Sequence, residues 1–93
     1  MPTQLTVPYD QLTREAEALI RHKMSVAADA TASTVRALHE SCALGMYLLW
    51  SSVARDAATS AARSAHPATD ALDVYHADRD RLEALTVGRS RQR

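Results

Sequence analysis

The stretch Cys42-Ala43-Leu44-Gly45-Met46-Tyr47-Leu48-Leu49-Trp50-Ser51-Ser52-Val53-Ala54 decides how this chain folds. It holds the only Trp and the only Cys, and no charge falls between Glu40 and Arg55. On a helix its apolar residues do not keep to one side. Cys42, Met46, Leu49 and Val53 make one stripe, whereas Leu44, Tyr47, Leu48 and Ser51 point in other directions. A helix that is apolar all round must be covered all round, by its own chain, by a partner or by lipid. The run is too short to span a membrane, which takes about 20 residues.

The rest of the composition says what is available to cover it. With 93 residues there is room for one domain and only a modest core, so a partner or a second copy often supplies missing stability. The hydrophobic fraction is 46%, but much of it is Ala; aromatics are 4% and Phe is absent, so bulky core residues are few. Ala is the best helix former, and alternating β-branched or aromatic runs are nearly missing. Two Gly and three Pro leave few places to turn. The expected fold is all-α, a long helical hairpin plus a shorter third helix in a three-helix bundle.

Working outward, residues 1–7 carry no periodicity and read as a flexible arm. The first helix is expected over 8–29, with Pro8 in its first turn and Thr6 or Asp10 as cap. Its stripe is Leu12, Ala16, Leu19, Lys23 and Val26, widened by Ile20, Ala27 and Ala30. Leu5, Leu12, Leu19 and Val26 are seven apart and hint at a coiled-coil seam. Around residues 29–34 the large apolar residues stop, and Thr and Ser, which compete for backbone hydrogen bonds, suggest a break. A second helix over 33–65 ends in an alanine ladder that would let a neighbour approach closely. His66-Pro67 stops it, since proline lacks the N–H and restricts the residue before it. A third helix is expected over 69–87, capped by Thr69 or Asp70, with Leu72, Tyr75, Leu82 and Leu85 as its stripe. Gly88 supplies its stop, and residues 88–93 form a flexible basic tail.

Eleven basic and eleven acidic residues balance to a net charge of zero, which argues against a surface tuned to nucleic acid or anionic membrane. Ten of the eleven basic residues are Arg, which reads as GC-rich codon bias before any recognition role. A single Cys excludes an intramolecular disulfide, and no basic-then-apolar leader stands at the N-terminus. A cytoplasmic protein is expected.

Candidate chemistry is thin. His39 and Cys42 share a helical face but lack the further ligands zinc wants. Asp73 and His76 imitate a di-iron pair without its inward glutamates. Ser41, Cys42, Ser51 and Ser52 lie inside a helix, with no strained turn to activate them and no glycine loop to cradle phosphate. No enzyme activity, metal or cofactor is expected. Arg89, Arg91 and Arg93 offer a possible nucleic-acid contact. The third helix before them carries Asp70, Asp73, Asp78, Asp80 and Glu83 against Arg79 and Arg81, an acidic face that repels a duplex.

The residues therefore point to a non-catalytic protein–protein interaction module, an adaptor or inhibitor. Asp73, Asp78, Asp80 and Glu83 are the expected partner-binding residues, meeting a basic patch. Leu44, Tyr47, Leu48 and Trp50 are the expected surface of a homodimer. Three alternatives stand beside it: a nucleic-acid-associated protein using the Arg tail, a phage or mobile-element inhibitor of a nucleic-acid-binding complex, and a membrane-surface helix protein.

Overall fold

The computed structural model describes residues 7–64 and 70–87. Three helices account for most of them: α1 (Tyr9–Asp29), α2 (Ser33–Ser64) and α3 (Ala71–Leu85), with no strand among the described residues. The helices pack against one another as a three-helix bundle, and the α1–α2 hairpin forms its most extensive contact. At 1.5 Å per residue α2 is about 48 Å long, half as long again as α1. It is the rod on which the others lie.

The ends of the helices are made by means other than those expected. Pro8 occupies the N-cap position itself, extended at φ −59° and ψ 147°, and its carbonyl accepts from Leu12 N–H at 3.0 Å; no side chain caps α1. Thr6 lies outside the described residues. The break between α1 and α2 needs no glycine because Ala30 closes α1 in the extended region, which any residue adopts. Its freed carbonyl accepts a hydrogen bond from Arg36 Nη2 at 3.0 Å, so the first turn of α2 holds the corner. Asp70 is the N-cap residue of α3, but its side chain makes no cap bond. At the far end Thr86 Oγ1 donates to Glu83 O at 2.8 Å and closes α3 ahead of Gly88, which is outside the described residues, as are His66 and Pro67.

Which faces are buried differs from the sequence expectation. In α1 the inward residues are Thr13, Ile20 and Ala27, while Leu19 keeps 50% of its surface exposed. In α2 they are Ala43, Tyr47, Trp50, Ala54 and Ala58; the Cys42-Met46-Leu49-Val53 stripe lies to one side, with Leu49 and Val53 exposed. The α1 seam is centred on Ile20 and Ala27 at the edge of the expected stripe, with Leu12 and Ala16 packed beside it. The α2 seam sits one residue beyond the expected stripe, a rotation of about 100°. The physical reason is small size. Alanine at 43, 54 and 58 lets α1 and α3 come close, and the aromatic rings of Tyr47 and Trp50 fill the space between. In α3, Tyr75 and Leu82 are buried while Leu72 is exposed.

Candidate docking surface

The inner side of the bundle is built from aromatic residues whose polar tips are satisfied. Trp50, 2% exposed, stacks on Tyr75 at 5.8 Å between centroids and lies 6.3 Å from Tyr47. Its Nε1–H donates to Thr13 Oγ1 at 3.0 Å, so the one buried polar residue of α1 serves the indole. The hydroxyls of Ser51 and Tyr75 are 2.8 Å apart, and the Arg79 guanidinium lies over the Tyr75 ring at 5.9 Å. Burial pushes the Tyr47 hydroxyl up from its ordinary pKa, with the charge of Glu83 adding to it. Trp50 and Tyr75 thus each bring a large apolar body together with a polar tip that finds a partner.

Tyr47 and Trp50 are therefore core residues, covered within one chain, and neither is open to an oligomer interface. Of the four residues expected there, Leu44 and Leu48 stand outside. The expected acidic recognition face is also partly committed inward. Tyr9 Oη donates to Asp78 Oδ2 at 2.8 Å, and Arg81 donates to Asp78 Oδ1 at 2.9 Å and to Glu17 Oε1 at 3.0 Å. Arg21 donates to the other oxygen of Glu17 at 2.9 Å. This chain of charges ties α1 to α3. The hydrogen bond from Arg21 is the chief influence holding the Glu17 carboxyl below its ordinary pKa. Asp80 meets Arg79 at 3.3 Å on the surface, and Asp73 and Glu83 are exposed. Arg89, Arg91 and Arg93 lie outside the described residues.

The remaining constellations stay separate. His39 is half-buried with Nδ1 enclosed and without a hydrogen-bond partner, and Cys42 is half-buried near it in sequence. No group of three or more His, Cys, Asp or Glu side chains that could hold a metal occurs among the described residues. His76 is exposed, its ring 5.4 Å from Tyr75. A polar depression lined by Asp56, Thr59, Ser60, Arg63 and Ser64 lies on α2 alone.

The outer side of α2 is the feature that the bundle leaves open. The shortest dimension of the molecule is 15 Å, and two helix layers at 8–10 Å spacing take about 13–15 Å between outermost Cα atoms. With α1 and α3 on its inner side, no other described residue covers the outer one. Leu38, Leu44, Leu48 and Leu49 keep between 47% and 69% of their surface exposed, flanked by Val35 and Val53. Ser41, Gly45 and Ser52 lie exposed among them, and the face is uncharged from Ser41 to Val53. No helix among the described residues is long and apolar enough to cross a membrane. Comparison with protein-family models, with curated proteins and with solved structures gives no match to this chain.

Proposed function

We propose that this chain is a non-catalytic helical protein–protein interaction module that docks through the outer face of α2. One observation carries the reading: Leu44, Leu48 and Leu49 stand exposed within a stretch with no charge from Ser41 to Val53, and Leu38 extends their face. Single exposed apolar residues are ordinary, but a contiguous apolar patch rimmed by polar residues marks an interaction site. The charged residues favour this face over the acidic one, because Asp78 is tied to Tyr9 and Arg81 at the edge between α1 and α3. Asp73 and Glu83 serve as rim charges that steer an encounter rather than anchor it. A homodimer is the arrangement that requires no other chain.

The test is a capture experiment with tagged full-length protein, offered both untagged copies of itself and the soluble proteins of its host. Wild type should retain one stoichiometric protein, whichever of these it is. Leu48→Asp and Leu49→Asp should lose it, while Asp73→Asn with Glu83→Gln should keep it. The reverse pattern would move the docking site to the acidic face of α3.

A further inference from the structure

We infer that the occupant of the outer α2 face is a second copy of this chain, seated antiparallel about a two-fold axis that passes beside residues 46 and 47. The inference rests on the docking role proposed for that face and names its partner.

Gly45 is the observation that points to close approach from outside. It sits in the middle of a 32-residue helix, where glycine is a poor choice, and it is exposed. A Cβ added there would meet nothing within 4 Å, so nothing in the bundle demands glycine. A missing side chain in an otherwise apolar outer face makes a notch for a neighbouring helix.

The face is complementary to itself. An antiparallel copy centred between residues 46 and 47 sets Ser41 opposite Ser52 of the second copy, small against small. It brings Leu49 of the second copy to the Gly45 notch, and it places Leu48 between Leu44 and Leu48 of the second copy. Such an interface uses one patch twice, as a two-fold requires. Electrostatics permit it: the chain has no net charge, and the residues from Ser41 to Val53 bring no like charges together. Leu38, Leu44, Leu48 and Leu49, each about half or more exposed, with Val35, Val53 and the small residues Ser41, Gly45 and Ser52 around them, form the area that pairing would bury, against the ~800 Å² per partner of a standard stable interface.

Sedimentation equilibrium of the full chain at high micromolar concentration should give the mass of two copies. Leu48→Asp should weaken association roughly thirtyfold or more, the size of a hot-spot loss, with its circular dichroism unchanged. Gly45→Leu should do the same by filling the notch. Orientation is read by crosslinking in a Cys42→Ser background. A disulfide needs Cα atoms within about 7 Å, and in the antiparallel pair the two copies of residue 41 are about 16 Å apart along the axis. Oxidation should therefore join Ser41→Cys to Ser52→Cys, and neither to itself. A wild type that is monomeric at this concentration overturns the inference. The docking role itself would then stand or fall separately, on whether a host protein is captured by wild type and lost by Leu48→Asp. Self-crosslinking of Ser41→Cys would mean a parallel pair and would overturn the inference as well.

Discussion

Along one side of α2 run Ala43, Tyr47, Trp50, Ala54 and Ala58; along the other run Leu38, Leu44, Leu48, Leu49 and Val53. The aliphatic side is outside and the side of alanine and aromatic residues is inside, the opposite of what side-chain hydrophobicity alone selects. Two things decide it. Alanines allow helices to close to contact, and the aromatic residues carry polar tips that need Thr13 and Ser51 beside them. Leucine needs no particular partner, so it can wait for one. The inner side is specified by geometry, and the outer side only by an apolar face.

The largest contrast between the two sides should come from truncation. Trp50→Ala removes the ring that touches Tyr47, Tyr75 and Thr13, and should destabilise the fold by about 3–5 kcal/mol. That is a large share of the ~5–15 kcal/mol a domain has in total. Leu49→Ala, on the exposed side, should change monomer stability by less than about 0.5 kcal/mol. Urea denaturation under dilute, monomeric conditions measures both. Equal losses would mean that the outer side is packed as well, and the contrast would be void.

A second pair sharpens why the inner side was chosen. Thr13→Val keeps the shape but leaves the Trp50 N–H buried without an acceptor, which should destabilise by about 1–3 kcal/mol. Ala54→Leu inserts bulk where α2 is fully covered, and overpacking should cost about 1–3 kcal/mol. If Ala54→Leu were neutral, close helix approach would not be the reason for alanine at this position.

These same residues explain what could be read from the sequence. The all-α class and the break near residues 29–33 were legible, because Ala content, few glycines and the Thr-Ser cluster are local signals. The buried faces were only partly legible: Ile20, Ala27, Tyr75 and Leu82 were placed in the stripes, but Thr13 and the α2 seam were not. Ranking by hydrophobicity selects Leu12, Leu19 and Val26 in α1, with Ile20 and Ala27 only at the margin of the stripe, and Cys42, Met46, Leu49 and Val53 in α2. The true α1 seam, Thr13-Ile20-Ala27, is centred on that margin, and the true α2 seam, Ala43-Tyr47-Trp50-Ala54-Ala58, lies one residue along. A threonine in register with Ile20 and Ala27, placed to meet the only indole, was the available signal for the first. The inward use of Asp78 depends on Tyr9, 69 residues earlier in the chain, and no spacing rule connects them.

Gly45 divides the two sides with a smaller effect of opposite sign. Alanine there meets no neighbour, so Gly45→Ala should stabilise the monomer by about 1 kcal/mol through helix propensity. The added methyl also enters the notch of the paired face, so association should weaken while the melting temperature of the dilute protein rises. A variant that gains in both would show that the notch accepts no side chain from outside.

The smallest effect separates the two sides by pH. Tyr9 closes the inner side at its edge, and its hydroxyl is pushed up to about 12 by burial first and then by the hydrogen bond to, and charge of, Asp78. A folded pKa above the unfolded value of about 10 means that folding favours the protonated phenol. Its contribution is fully present below pH 10 and is lost as pH rises through about 12. Because the side chain is only partly buried, at the edge of the core, the loss is modest. Denaturation of wild type should weaken between pH 10 and 12, and Tyr9→Phe should follow a shallower course over the same range. Tyr47, whose pKa is also raised, keeps some of the slope in both. Asp78→Asn should bring Tyr9 ionisation down towards its ordinary range in a spectrophotometric titration, though not all the way, since burial persists. The leucines and serines of the outer face release no proton in this window. Association normalised to the folded fraction should stay level from pH 10 to 11, and a fall there would mean that the tyrosines belong to the interface.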